Sequence, residues 1–313
     1  MPFEHNILTS RTAVTPQKTA TIFALIAVLC WSTVASAFKL SLQHVTPPQL
    51  ILIAATTSWA FLLGMLVIQG RVGHITQLST KQCGVSFLFG LLNPTLYYLL
   101  LFYAYDMLPA QEAQAINYSW AIVMSLLAVP LLGQVLGKSD IFAAVVCYLG
   151  VLVIATRGDL LGLEFANIKG VALAVISTLV WSIYWIYNRR DEREEILGLF
   201  LNFSFALPLI FIYCWFSGEL NGLASGLVWQ GLVGGIYVGL VEMGLGFVFW
   251  LYAMKRADNT AKIANLIFIS PFLSLWLIVI FLGETILPST LVGLALIILG
   301  LVIQSFGGIK KDA

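Results

Sequence analysis

The sequence predicts an all-α integral membrane protein of ten transmembrane helices, arranged as two inverted five-helix repeats with both termini cytoplasmic. Three observations predict it. Of 313 residues, 60% are hydrophobic and only 10% are charged, against about 25% charged in an ordinary soluble domain. Ten apolar runs reach or approach the roughly 20 residues that a helical crossing of the bilayer needs. Dipeptides also recur 150 positions apart along the chain. The net charge of +1 leaves no basic surface for nucleic acid. Cys30, Cys83, Cys147 and Cys214 lie singly inside apolar runs, and His5, His44 and His74 fall in polar connections, so neither a metal site, a cofactor nor a disulfide framework is expected.

The runs can be justified in order. The first, 20–41, follows a polar leader, 1–19, and ends without a small-residue cleavage site, so it reads as a helix that stays. The second is 48–69, and the third, 82–105, contains Pro94. The fourth, 109–132, carries the unusually polar stretch QEAQAINYSW at 111–120. The fifth and sixth, 140–156 and 170–187, are short. The sixth is followed by RRDEREE, which reads as a solvated cytoplasmic turn. The seventh is 196–217, and the eighth, 228–253, buries Glu242 among glycines. The ninth, 260–282, holds Asn265 and Pro271, and the tenth, 289–307, precedes a tail, 308–313. The first repeat is therefore 20–156 and the second 169–307.

Basic residues orient the chain. With the N-terminus inside, thirteen of the sixteen Lys and Arg fall on the cytoplasmic side, leaving Lys39, Arg157 and Lys169 outside. The repeat is carried by Trp31-Ser32 with Trp181-Ser182, Leu132-Gly133 with Leu282-Gly283, and Leu149-Gly150 with Leu299-Gly300, all at an offset of 150. Tyr103-Ala104 returns as Tyr252-Ala253 with a slip of one. Each unit holds five crossings, an odd number, so the second must enter the membrane from the opposite side. Inverted repeats of this kind accompany a central site near the midplane.

Polar side chains at membrane depth mark the candidate site, because an unpaired one costs on the order of 1 to 3 kcal/mol. Gln114, Asn117, Ala121 and Met124 share one face of the fourth helix, with Tyr118 and Trp120 beside them. That face either lines a cavity or bonds neighbouring helices. Glu112, about one turn in, is a candidate gate or a partner of the helix dipole. Its repeat mate is Lys262. Glu242, whose mate at 150 is Leu92, can take a proton, pair with a substrate ammonium, or bond a neighbouring helix. Trp31 and Trp181 are cavity walls or interfacial anchors, and Tyr97, Tyr98, Tyr184 and Trp185 add to the aromatic pool. Pro94 and Pro271 are candidate hinges or expose carbonyls to a solute, and Asn265 and Pro271 join the candidate cavity lining.

A family resemblance follows from these residues. Tyr252-Ala253-Met254-Lys255, then Pro271, Gly283-Glu284 and the helix from Gly293 to Gly300 resemble the EamA repeat of the drug/metabolite transporter superfamily. The first half is a weaker copy, with Ala121 in place of Pro271 and Gln134 in place of Glu284. Ala110, Glu112, Asn117, Tyr118 and Trp120 resemble the fourth helix of the YddG-type aromatic amino acid exporters, with Ala121 where that type has proline. The resemblance implies alternating-access transport of a small organic metabolite, exported across the inner membrane. Aromatic or hydrophobic amino acids come first among the substrates, stacked on rings of the third, fourth and sixth helices. Alternatives are another metabolite or a cationic drug or, from another class, a receptor or scaffold that binds without moving its ligand. The sequence shows neither catalytic constellation nor G-x-x-x-x-G-K loop, so the chain is expected to be a non-enzyme driven by a gradient. Its partners are a small molecule, an amino acid first, and the lipid bilayer, and the sequence leaves the oligomeric state open, a monomer included.

Overall fold

The computed structural model describes residues 16–133, 135, 137–162, 167–188, 190–226, 228–258, 263 and 265–309. Among them, eight helices are long and apolar enough to cross a membrane: α1 Pro16–Leu42, α2 Pro47–Ile68, α3 Thr80–Met107, α4 Ala110–Leu132, α5 Lys138–Ala155, α6 Ile168–Asn188, α7 Glu195–Phe216 and α8 Trp229–Arg256. Two shorter apolar helices follow, α9 Leu266–Leu282 and α10 Pro288–Gln304. In full α10 runs to Ile309, 22 residues, and of the two helices the sequence marks as short, α5 has 18 residues while α6 reaches 21. Large apolar side chains such as Ile68, Trp215, Phe216 and Phe281 stay exposed on the outer face, as expected of a surface solvated by lipid tails.

Local chemistry sets several boundaries. Ser79 Oγ accepts from Gln82 N and the Gln82 side chain accepts from Ser79 N at 2.9 Å, a reciprocal cap that starts α3. The Glu194 carboxylate accepts from Leu197 N at 2.8 Å and starts α7. Gly133 and Gly283 end α4 and α9 in the left-handed conformation, at φ 68° and 65°. Each donates its N–H one turn back, to Val129 and Val279. Here the repeated Leu-Gly pair has its physical reason: only glycine takes that turn without a Cβ clash.

Packing follows the repeat. α2 lies on α7 and α5 on α10, while α1 packs on α8 and α9 as α6 packs on α3 and α4. The partners at corresponding positions run antiparallel. Pro48 O accepts from Cys214 Sγ, and eleven residues on, Trp59 Nε1 donates to Ser204 Oγ at 2.9 Å. In the other pair, a Cβ on Gly150 would meet the Gly293 carbonyl at 2.5 Å, and one on Gly300 would meet the Ala143 carbonyl at 2.7 Å. Adding 150 to the first-half member of each contact gives the second-half member of the other, Gly150 to Gly300 and Ala143 to Gly293, so the second unit is turned over relative to the first. The close backbone approach at these small residues is the usual way of packing helices where lipid competes.

Candidate functional site

Four helices depart from α geometry, at corresponding places in the two halves. α3 widens into a π segment at Leu91–Leu96 and α8 into another at Val238–Gly246. α4 is interrupted at Tyr118 and Ser119, between helical parts Ala110–Asn117 and Trp120–Leu132. α9 begins as a 3-10 turn, Asn265–Ile269, before its α-helical part at Ser270. The interruption of α4 needs no proline, since Ala121 stands where one would be expected. The interruptions of α4 and α9 are each tethered by the serine of a Trp-Ser pair. Ser182 Oγ donates to Trp120 O at 2.9 Å, and Ser32 Oγ to Ser270 Oγ at 3.2 Å, and positions 120 and 270 are themselves 150 apart. Irregular backbone at membrane depth persists where it is buried in protein or lines a cavity.

In α4, α8 and α9 it lines a cavity here, of about 660 Å³. Its wall is aromatic: Trp31 from α1, Tyr97 from α3, Tyr118 and Trp120 from α4, Trp181, Tyr184 and Trp185 from α6, and Phe247 and Trp250 from α8. Tyr97 stacks on Trp181 with centroids 4.3 Å apart, and Trp185 lies parallel to Phe247 at 6.4 Å. The rings present flat faces at distances where stacking is favourable. The polar lining is sparse. Asn117 accepts from Tyr97 Oη at 3.4 Å and donates to Ser177 Oγ at 3.2 Å, so this amide bridges α3, α4 and α6 at the wall. Gln114 Oε1 and Trp31 Nε1 are buried without a hydrogen-bond partner. Glu242 accepts from Tyr98 Oη at 2.9 Å through Oε1, and its Oε2 is buried and unpartnered.

The two ends of the bundle differ. The cavity wall runs out to Asn188, Asp191, Arg193, Glu194 and Glu195 at the α6–α7 connection. At that end Arg71 pairs with Glu194 at 2.9 Å and Lys255 with Glu195 at 3.0 Å. The opposite end is fastened. Gln111 donates to Glu284 Oε2 and Thr285 O and accepts from Leu287 N and Thr290 Oγ1, each bond between 2.9 and 3.2 Å. Glu284 in turn accepts from Ala110 N at 2.8 Å and caps α4. Lys39 Nζ donates to the carbonyls of Tyr105 and Leu108 at 2.7 and 2.8 Å. Arg157 pairs with Glu112 at 2.8 Å. It does so from a backbone at φ 52°, a region non-glycine residues seldom occupy.

Trp31, Tyr97, Gln114, Asn117, Tyr118, Trp120, Trp181, Tyr184 and Glu242 thus meet in one cavity. Tyr98 does not join them: fully buried behind Tyr97, it reaches only Glu242. Pro271 is buried at the start of the α-helical part of α9, directly after the 3-10 turn, and stands outside the cavity lining. Pro94 is buried inside the π segment of α3, next to the non-helical Asn93 and away from the cavity lining. Glu112 lies at the fastened end with its carboxylate ion-paired, and its mate Lys262 and the side chain of Asn265 lie outside the described residues. The mate of Glu242 is corrected. Gly90 packs against α7 as Gly239 packs against α2, an offset of 149 that makes Asn93, not Leu92, the equivalent of Glu242.

Sequence reasoning missed the α8 stripe Phe247, Trp250, Leu251, Met254, although its i, i+3, i+4, i+7 spacing was readable. Asp191 and Arg193, which the sequence presents as part of a solvated turn, have side chains only 13% and 6% exposed. Arg193 donates to both Asp191 oxygens, to Ser86 and to Asn202, and lies over the Phe89 ring.

The EamA-like transporter family model matches the chain twice, over residues 18–156 and 168–306. An uncharacterized transporter of Clostridium kluyveri is 24% identical over 90% of this chain and 92% of its own. The aromatic amino acid exporter YddG of Ancylobacter novellus is 26% identical over 84% of this chain and 89% of its own. A solved crystal structure superposes with a TM-score of 0.63 at 22% identity, covering 95% of this chain and 100% of that one, which is a likeness of fold.

Proposed function

Since the chain belongs to the EamA-like transporter family, we propose that it is a gradient-driven carrier of small aromatic solutes, aromatic amino acids first, and exports them across the cell (inner) membrane by alternating access. In this reading all ten helices cross the bilayer and both termini are cytoplasmic. The end bearing Arg71, Arg193 and Lys255 is then cytoplasmic by the excess of basic residues, and the end bearing Lys39 and Arg157 is external. The observation that carries the reading is a ring-lined cavity that runs out to one end of an inverted-repeat bundle and is fastened at the other. That is the inward-facing arrangement of a carrier loaded from the cytoplasm. Inverting the two units would fasten the cytoplasmic end and free the external one.

Stacking supplies the substrate preference. Tyr97 over Trp181, and Trp185 parallel to Phe247, offer ring faces to a flat solute, whereas a small hydroxylated side chain finds few polar groups to replace its water. The exporter named among the relatives supports the same substrate and direction. Counterflow in proteoliposomes with labelled phenylalanine, tryptophan and threonine tests it. Phenylalanine and tryptophan should exchange and threonine should not. Asn117→Ala, which removes two hydrogen bonds worth about 1 kcal/mol each at the wall, should slow that exchange roughly tenfold. A folded protein that exchanges none of the three, or that only binds them as a receptor would, defeats the proposal.

A further inference from the structure

Resting on the carrier reading above, we infer that the substrate group recognised at depth is an ammonium, held by Glu242, and that a substrate carboxylate is dispensable, so the site takes flat-ring amines as a class. The argument begins with how the charges lining the cavity are matched. Five ionisable acids and bases line it among the described residues: Asp191, Arg193, Glu194, Glu195 and Glu242. Asp191 is answered by Arg193, Glu194 by Arg71 and Glu195 by Lys255. Glu242 is the one acid of the set with no cationic partner among the described residues.

Its surroundings fit a cation. Tyr98 Oη fixes one carboxylate oxygen at 2.9 Å, leaving the other oxygen buried and without a partner at the wall. Tyr98 packs on Tyr97 at 4.8 Å, and Tyr97 stacks on Trp181 at 4.3 Å, so the carboxyl stands beside a run of ring faces that themselves attract an ammonium. An acid at membrane depth without a partner is a functional site by default, and the partner it lacks is positive. The same lining has no base at depth for an anion, its unpartnered donor there being the neutral indole N–H of Trp31. Arg193 is the lone base among the described lining residues, it stands at the mouth, and its guanidinium is already spent on Asp191, Ser86 and Asn202. With Arg193, Arg71 and Lys255 answering Asp191, Glu194 and Glu195, the approach is balanced, and the unanswered charge of the lining is that of Glu242 at depth.

Three ligands that share a phenyl ring separate the possibilities: phenylalanine, 2-phenylethylamine and 3-phenylpropanoate. Binding is measured on the full chain in detergent by quenching of tryptophan fluorescence, which needs no flux. Phenylethylamine should bind at least as tightly as phenylalanine, and phenylpropanoate at least tenfold more weakly. Glu242→Gln should weaken the amine tenfold or more while leaving phenylpropanoate no worse, and Glu242→Asp should recover part of the loss. Should Glu242→Gln not fold, Tyr98→Phe keeps the ring, removes the bond that aims the carboxylate, and should weaken the amine severalfold. Phenylpropanoate binding as well as phenylalanine overturns the inference, as does amine binding that is absent or indifferent to these variants. Amine binding without counterflow leaves it standing and defeats the carrier reading alone.

Discussion

Ser32 and Ser182 each tether an interrupted helix, and their tryptophan neighbours face the cavity, so both members of the repeated pair are accounted for by position. This much was legible, because an offset of 150 draws attention to the pair before any contact is known. The face of Gln114, Asn117 and Tyr118 was legible too, since polar residues at helical spacing in an apolar run must turn away from lipid. Asp191 and Arg193 were not. Whether a charge near a helix end is solvated or buried is decided by partners remote in sequence, here Ser86, Phe89 and Asn202. Gly246 carries a prediction at this scale. A Cβ there would lie 2.6 Å from Trp31 Nε1, so Gly246→Ala must push the indole out of the cavity wall. Exchange of aromatic substrate should fall severalfold in counterflow while the thermal midpoint in detergent changes little. A large drop in the midpoint with exchange intact would contradict the assignment of that indole to the wall.

The helices as elements were readable from length and hydropathy, whereas their interruptions were not. Prolines are the usual sequence signal for a break, and three of the four breaks, in α4, α8 and α9, contain none. Pro271 was readable as a proline but not as the start of a helical part, since that depends on the 3-10 turn before it. The glycine contacts of α5 and α10 permit a sharper test of element packing. At Gly150 the neighbouring atom is a backbone oxygen, which cannot move aside as the end of a side chain can. Gly150→Leu should therefore separate the two helices and lower stability by about 1–3 kcal/mol. Leu149→Val, at a half-exposed neighbour, should be close to neutral by comparison. Equal thermal midpoints for the two variants would mean that the contact contributes nothing.

For the whole molecule, the unequal ends are the feature the sequence could not disclose, because two inverted copies are equally compatible with either end being fastened. The fastening crosses from one repeat to the other mainly through Gln111, whose amide makes four hydrogen bonds to the α9–α10 connection and Thr290. Gln111→Ala should shift the population toward the arrangement open at that end. With Cys30, Cys83, Cys147 and Cys214 replaced by serine and Gln114 by cysteine, an impermeant thiol reagent applied at that end should label severalfold faster once Gln111 is alanine. Unchanged labelling would show that the amide is packing and not a latch.

The seam between α5 and α10 has a further consequence. Its contacts, Gly150 with Gly293 and Gly300 with Ala143, are the same when the two halves are interchanged. A transition that trades the conformations of the halves therefore returns this helix pair to itself. Under the alternating access proposed above, the seam is expected to act as a fixed bearing, closely packed in both end states and neutral in the free-energy difference between them, about which the remaining helices rock.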